Sequence, residues 1–235
     1  MGKTNRPYVC PAELAGSLDN ALRRLLQKPR KILEPYISNG MIVLDLGCGP
    51  GYFTAELARI VGEGGRVIAA DLQQKMLEKM ARKIRGTDLE ERVEVHLCQG
   101  DRIGILQKVD FVLAFWMVHE VPDQQRMFEE LKSVLNPGGR IWIIEPKIHV
   151  TEKSFKKMIT RLESAGFEII DRPKISLSRT VLLSIRKNQE AAAPRQSGRR
   201  CEGEIEAKRR FREAEGGEGE KKRQKTKEDC LASLS

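Results

Sequence analysis

The chain has 235 residues, and 42 lysines and arginines against 33 aspartates and glutamates give it a formal net charge of +9. This length suits one α/β domain with a sizeable core and an appendage. There is no run of 18 apolar residues, which argues against a membrane-spanning helix, and residues 1–14 lack the apolar segment of a secretory signal, so we expect a cytoplasmic protein.

The five cysteines, at positions 10, 48, 98, 201 and 230, are scattered and never form a C-x-x-C pair. Neither a metal site nor a disulfide framework is therefore predicted. The positive charge is spread along the chain, so it is only a weak indication of an anionic partner, and a solvated basic surface explains it as well.

Residues 1–40 precede the first predicted strand and are expected to form an N-terminal helical cap. Ser17 can cap a first helix, and Pro29 suits the first turn of a second one over residues 30–36, which Pro35 ends or kinks. Helices in this position either cover a ligand crevice or simply pack against the edge of a sheet.

The apolar run 43–46 reads as a buried strand, and a loop containing Gly47, Gly49 and Gly51 joins it to a helical pattern over residues 53–61. Glycine lets the backbone turn sharply and approach a ligand closely, while the first turn of a helix offers unpaired N–H groups. The stretch therefore predicts a site for a polar ligand, with a plain tight strand–helix turn as the alternative.

The spacing of these glycines does not match the dinucleotide-binding fingerprint. A G-x-G-x-x-G motif would need glycine at position 52 or 54, where Tyr52 and Thr54 stand. A nicotinamide-dependent oxidoreductase is therefore not expected.

A second buried strand over residues 66–70 ends in Asp71, which lies 20 residues beyond Gly51. A carboxylate at this place can accept two hydrogen bonds from the vicinal hydroxyls of a ribose. The alternative is that Asp71 caps the next helix, whose apolar positions run from Met76 to Ile84.

The remaining periodicities predict three strands alternating with two helices, the second capped by Thr151, and then two strands too close together for a crossover helix. These elements cover residues 93–98, 110–115, 127–135, 140–145, 155–162, 167–171 and 180–186. The last two strands should therefore pair as an antiparallel hairpin.

The composition changes at about Asn188, and residues 188–235 are rich in Ala, Gly, Glu, Lys and Arg with almost no apolar residue. Such a segment cannot bury enough surface to offset the entropy of ordering, so we predict a disordered charged tail after a domain over residues 41–187. Tethering of nucleic acid by Lys208–Arg210 and Lys221–Arg223 is weakened by the interleaved acids.

The glycine loop, Asp71, the Gly100–Asp101 pair and the strand pattern together resemble the class I S-adenosylmethionine-dependent methyltransferases, over residues 41–186. The resemblance is closest to the small-molecule group that includes quinone C-methyltransferases and arsenite methyltransferases. It implies an α/β fold with a doubly wound, mostly parallel, Rossmann-like sheet of seven strands, an antiparallel C-terminal hairpin and N-terminal helices. It also implies an enzyme that uses S-adenosylmethionine as its cofactor.

The resemblance assigns roles to several positions. The glycine loop would approach the methionine portion, Asp45 would hold its amino group, and Asp71 would bind both ribose hydroxyls. Leu72, Asp101 and Arg102 would surround the adenine, and Phe115 would lie beside the reactive methyl. The cofactor-binding set it implies is Asp45, Gly47, Cys48, Gly49, Gly51, Asp71, Leu72, Gly100, Asp101, Arg102 and Phe115.

A general base is needed only if the acceptor must lose a proton, and the candidates are His119, Glu120 and Glu145. Because residues 115–123 contain neither an Asn-Pro-Pro-Tyr run nor a Pro-Cys step, we expect a small-molecule acceptor and no nucleic-acid partner. An RNA- or protein-directed enzyme and a non-catalytic S-adenosylmethionine-binding module stay as alternatives.

Overall fold

The computed structural model describes residues 28–100 and 102–186. The predicted helix after Ser17, most of the N-terminal cap, Cys10, Asp101 and the tail over residues 188–235 lie outside the described residues.

Within these residues, helices alternate with strands through most of the chain, and two strands close it. The α-helices are α1 (Pro29–Leu33), α2 (Thr54–Val61), α3 (Gln74–Ile84), α4 (Gln124–Val134) and α5 (Glu152–Ser164). The strands are β1 (Ile42–Leu46), β2 (Arg66–Asp71), β3 (Val93–Leu97), β4 (Val109–Phe115), β5 (Leu135–Pro146), β6 (Phe167–Asp171) and β7 (Ser178–Ile185).

The seven strands of the described residues form one sheet in the order β3-β2-β1-β4-β5-β7-β6. The pairs from β3 to β5 are parallel, whereas β7 runs antiparallel to both β5 and β6. The prediction of a doubly wound, mostly parallel sheet with an antiparallel C-terminal hairpin is confirmed.

Apolar side chains cover both faces of the sheet, as the continuous hydrophobic runs of the central strands predict. One core cluster joins the sheet to α4 and α5 and includes Phe128 and Leu162, and the other joins it to α2 and α3 and includes Leu57 and Met80. Trp142 on β5 is fully buried in the second cluster. No described helix is both long enough and apolar enough to cross a bilayer.

Two of the differences between observed and predicted element boundaries have a clear physical reason. Helix α1 ends at Leu33 rather than reaching residue 36, since Pro35 cannot continue the helical hydrogen bonds. Strand β5 begins five residues early, at Leu135, because Leu135 pairs with Val109 before the Asn136–Gly139 turn bulges out and Arg140 resumes the pairing opposite Phe111.

Candidate functional site

A cavity of about 380 Å³ lies where the carboxyl ends of β1, β2 and β4 meet. The helices after β1 and β4 lie on opposite faces of the sheet, so this is the switch point at which open α/β sheets bind ligands. The sequence-predicted residues that line it are Asp45, Gly47, Cys48, Gly49, Asp71, Leu72, Gly100, Arg102, Phe115 and Glu120.

Three of the described site residues predicted from sequence do not line this cavity. Gly51, His119 and Glu145 are absent from its wall, and Asp101 lies outside the described residues. Gly51 contributes to the loop that forms the wall, and Glu145 contacts His119 behind it.

The glycine loop is fixed by close packing at two of its three glycines. The N–H groups of Gly47 and Cys48 both donate to the carbonyl of Ala70, at 2.8 and 3.0 Å, which draws the loop against the end of β2. Gly51 has a φ of +79°, and a Cβ atom there would lie 2.4 Å from Cγ of Met80 on α3. Gly49 also has positive φ, +54°, but a Cβ atom there would meet nothing within 4 Å.

This contrast predicts unequal costs for two alanine substitutions in the same loop. Gly51→Ala combines left-handed strain with a clash against the base of the Met80 side chain, so we expect a loss of about 2–4 kcal/mol in the free energy of unfolding. Gly49→Ala carries the strain alone, so we expect about 1–2 kcal/mol. Urea denaturation of both variants measures the difference, and equal losses would show that packing against α3 is not what requires glycine.

Asp71, at the carboxyl end of β2, is 8% exposed and connects two loops around the cavity. Its Oδ2 accepts the N–H of Gly49 at 2.9 Å, and its Oδ1 accepts the N–H of Gln73 at 2.8 Å. Burial raises the pKa of Asp71, although these N–H donors oppose that shift. A carboxylate offers about four acceptor sites, so the group can also accept a ligand hydroxyl. The alternative role as a helix cap is not adopted, since the N-cap of α3 is Gln73.

Asp45 is 2% exposed on β1 and also contributes to the cavity wall. Its Oδ2 accepts the hydroxyl of Thr54, at the start of α2, at 2.6 Å. Burial raises the pKa of Asp45 to about 7, although the Thr54 hydroxyl opposes the shift. A buried carboxyl of this kind is half-protonated near neutral pH and would be stabilised as an anion by a positively charged ligand.

The two described cysteines at the site are not poised as nucleophiles. Burial raises the pKa of Cys98 to about 12 and raises that of Cys48 well above its ordinary value. Both thiols are therefore neutral at physiological pH, and Cys48 acts as a small side chain in the loop.

Glu130 on α4 organises the segment that follows β3, although sequence analysis did not single it out. Its Oε2 accepts the N–H of Ile103 at 2.8 Å and that of Gly104 at 3.3 Å. Gln99 and Arg102 exchange backbone hydrogen bonds of 3.1 and 3.0 Å, so the segment turns tightly beside Gly100. No local sequence signal identifies this role of Glu130, because it lies 27 and 26 residues beyond the two backbone N–H groups that it accepts.

Aromatic rings line the side of the cavity between α2 and β4. Tyr52, Phe53, Phe115 and Trp116 form a chain of ring contacts with centroids 5.1, 4.4 and 5.4 Å apart. Trp116 has a φ of +61°, which is strained for a bulky residue, and its indole N–H donates to Oγ of Ser178 at 3.0 Å. With this backbone conformation at the end of β4, the Trp116 ring forms part of the cavity wall. A planar apolar ligand in the cavity would contact the ring there.

His119 and Glu145 form a hydrogen-bonded pair beside the cavity. Glu145 is completely buried at the end of β5, where its Oε1 accepts the N–H of Val118 and its Oε2 lies 2.5 Å from Nδ1 of His119. The His119 ring also stacks on the ring of His149, with centroids 5.9 Å apart. Glu145 is therefore placed to orient His119, and it has no access of its own to a ligand in the cavity.

Two opposing effects set the protonation of His119. Burial lowers its pKa, but the hydrogen bond and the charge of Glu145 outweigh burial, so the pKa of His119 is raised above 6.5. We expect Glu145→Gln to lower the pKa of His119, because burial then acts without the opposing carboxylate. Since the chain holds three histidines, NMR titration of the imidazole signals measures this directly.

His96 supplies the control for this titration, because its Nε2 contacts the carbonyl of Ile103 and lies away from the pair. Its ring signals should keep their chemical shifts in Glu145→Gln, which shows that the fold around them is unchanged. If the pKa of His119 were also unchanged, the Glu145 carboxylate could not be what holds the proton on the ring.

Comparison with known proteins places this architecture among characterised families. Residues 37–197 match the family model described as "Methyltransferase domain". The demethylmenaquinone methyltransferase of Lactobacillus johnsonii is 38% identical over 112 residues, which are 46% of this chain and 45% of that protein. The ubiquinone/menaquinone biosynthesis C-methyltransferase UbiE of Klebsiella pneumoniae is 31% identical over 110 residues, which are 46% of this chain and 44% of that protein.

The matched segment thus spans less than half the length of these relatives. Among solved structures, a SAM-dependent methyltransferase from Aquifex aeolicus superposes with a TM-score of 0.69 and 28% identity, covering 75% of this chain and all of that one. The resemblance inferred from the glycine loop and Asp71 is confirmed. With a family model covering well over half of its residues, the chain belongs to the methyltransferase domain family.

Proposed function

We propose that this chain binds S-adenosylmethionine in the cavity at the carboxyl ends of β1, β2 and β4, and transfers its methyl group to a small-molecule acceptor. The observation that carries the proposal is the pair of buried carboxyl groups, Asp45 and Asp71, that the cavity presents on neighbouring strands. Family membership and the superposition on the Aquifex aeolicus enzyme support it.

The described residues fit this cofactor in charge and size. Asp71 can accept hydrogen bonds from the ribose hydroxyls. Asp45 would contact the ammonium group of the methionine portion. The positive charge of that group would stabilise the carboxylate form of Asp45, which burial otherwise disfavours. Leu72 is 46% exposed at the cavity, so it can pack on an adenine face. Gly100 and Arg102 line the cavity on the same side, and Asp101 stays a predicted partner of the adenine amino group.

When bound, the cofactor supplies a methyl group on a sulfonium that already carries a good leaving group. The chain then has to hold the acceptor in line with the methyl in a space that excludes water. Such positioning can account for roughly 7–11 kcal/mol of the barrier. Phe53, Phe115 and Trp116 provide the apolar wall that would do this.

A planar aromatic acceptor, such as a quinone precursor, fits the chain of rings from Tyr52 to Trp116. The names of the Lactobacillus and Klebsiella relatives support this class of acceptor. An RNA or protein acceptor is less well supported by an aromatic wall of this kind. Transfer to a ring carbon releases a ring proton. Glu120 lines the cavity and His119, oriented by Glu145, adjoins it, so these two are our candidates to accept that proton.

A cytoplasmic location stays a prediction.

Calorimetry with S-adenosylmethionine tests the first half of the proposal, and NAD⁺ is the matched control ligand. We expect micromolar binding of the former and none of the latter. Incubation with demethylmenaquinone and isotopically labelled cofactor, read by mass spectrometry, tests the second half. If the chain bound the cofactor tightly but labelled neither this acceptor nor a wider set of metabolites, a non-catalytic binding module would be favoured instead.

A further inference from the structure

Two loops meet at the edge of the sheet beyond the carboxyl end of β5. One connects β5 to α5 over residues 147–151, and the other connects β6 to β7 over residues 172–177. They reach the same edge because β7 runs antiparallel to β5, with Pro146 opposite Ser178. The N–H of Lys147 donates to the carbonyl of Leu177 at 2.9 Å, which joins the two loops directly.

Each loop presents a large aliphatic side chain to solvent. Ile148 is 88% exposed and Leu177 is 63% exposed. Leu177 also has a φ of +58°, a left-handed conformation that is strained for a branched side chain. Among the described residues nothing covers either side chain, so folding of this domain alone does not account for an aliphatic residue at the two positions.

Positive charge surrounds these two apolar tips. Lys147, Arg172 and Lys174 are exposed and border an open depression of about 500 Å³. Within residues 28–100 and 102–186, none of them forms an ion pair with an acidic side chain. The neighbouring Asp171 is also exposed, and its carboxylate accepts the backbone N–H of Arg172 rather than a lysine.

Hydrogen bonds hold the β6–β7 loop in place and connect it to the wall of the cofactor cavity. The hydroxyl of Thr180 donates to the carbonyl of Pro173, and the N–H of Ser178 donates to that of Ile175 at 3.2 Å. Ser178 in turn accepts the indole N–H of Trp116, which lines the cavity. The exposed tips are therefore displayed on fixed loops next to the side of the cavity where an acceptor would enter.

We propose that this docking face, formed by Lys147, Ile148, Arg172, Lys174 and Leu177, binds the surface of an anionic lipid bilayer. The aliphatic tips would enter the boundary between headgroups and acyl chains, while the three cations would lie among anionic headgroups. Apolar insertion and electrostatic attraction are both needed for stable peripheral binding, and the face supplies both.

The chemistry of the face favours a bilayer over RNA. An RNA surface would use the cations, but it offers nothing to exposed Ile148 and Leu177. Neither loop carries a Phe, Tyr or Trp on which a base could stack, and the ring of His149 already stacks on His119. The proposal does not rest on methyl transfer, because vesicle binding is measured without cofactor or acceptor. The proposed cofactor binding and the proposed vesicle binding can therefore be contradicted independently of each other.

The test is co-sedimentation of the full chain with vesicles of phosphatidylcholine containing about 30% phosphatidylglycerol, alongside vesicles of phosphatidylcholine alone. We expect binding to the anionic vesicles that weakens with added salt. The Ile148→Ser/Leu177→Ser double variant should lose about tenfold in apparent affinity. Lys174→Glu should lose at least about fivefold, since each cation near an anionic surface contributes a factor of this size.

Two variants near the amino ends of parallel strands, rather than beyond the carboxyl end of β5, serve as matched controls. Leu106→Ser removes a side chain that is 94% exposed shortly before β4 begins, and Arg85→Glu reverses an exposed charge just after α3 ends. Both should bind vesicles as wild type does, and circular dichroism checks that every variant is folded. Equal losses in control and docking-face variants would overturn the proposal. An absence of binding to the anionic vesicles would also overturn the proposal. If Lys174→Glu then weakened retention on a mixed-sequence RNA, the face would be assigned to RNA instead.

Discussion

Asp71→Asn is expected to weaken the binding of S-adenosylmethionine by at least about a hundredfold. Two ribose hydroxyls donating to a buried carboxylate form charge-assisted hydrogen bonds, and each contributes about 1.5–3 kcal/mol. The asparagine amide also turns an N–H toward one of the backbone donors that the carboxylate accepts, either Gly49 or Gln73. Isothermal titration calorimetry of wild type and variant measures the loss.

A pair of truncated ligands separates ribose recognition from damage to the loop. Wild type should prefer adenosine to 2′,3′-dideoxyadenosine, because only adenosine carries the hydroxyls. Asp71→Asn should bind the two nearly equally. If the variant lost affinity for both ligands but kept the preference, Asp71 would act by shaping the glycine loop, and our ribose assignment would be wrong.

The sheet and its ligand edge could be predicted from sequence because each rests on a local signal. Uninterrupted apolar runs identified the buried strands. The short distance between residues 171 and 180 excluded a crossover helix, and the antiparallel β6–β7 pair confirms that reasoning. Asp71 was predicted as a ligand-binding residue because it ends the second apolar strand 20 residues beyond Gly51, whereas the role of Asp45 came only from the resemblance to class I methyltransferases.

Other parts of the site depend on contacts between residues distant in sequence, so no local pattern predicted them. Glu130 reaches the segment after β3 from α4, and Trp116 is held by Ser178 across 62 positions. Glu145 was predicted as a possible base, yet its complete burial against His119 emerges only when the ends of β4 and β5 are brought side by side. The role of Gly51 likewise depends on Met80 of α3, since its φ alone does not distinguish it from Gly49.

Asp45 holds a carboxyl group at a position where burial makes its negative charge unfavourable. Its pKa rises from 3.8 to about 7 on folding, mainly through burial. Because the folded chain then binds more protons than the unfolded chain between these values, the ionisation of Asp45 lowers stability as pH increases. The destabilisation is absent below about pH 4, grows between pH 4 and 7 and is complete above pH 7.

Asp45→Asn should therefore stabilise the cofactor-free protein while impairing its binding site. At 1.36 kcal/mol per pKa unit, the free energy of unfolding should increase by about 2–4 kcal/mol at pH 8, with little change at pH 4. The asparagine oxygen can still accept the hydroxyl of Thr54, so the local packing is kept. Binding of S-adenosylmethionine should weaken about ten- to hundredfold, because the ammonium group loses its anionic partner.

Proton release on binding distinguishes this mechanism from a simple change of shape at the site. In wild type, a bound ammonium group lowers the pKa of Asp45, so binding near pH 6 should release close to one proton, and affinity should rise with pH up to about 7. The ammonium itself stays charged over this interval, since an α-amino group has a pKa of about 7.7. Calorimetry in buffers of different ionisation enthalpy counts the protons. Asp45→Asn should release none, and a wild type that also released none would show that Asp45 is already ionised or does not meet the cofactor.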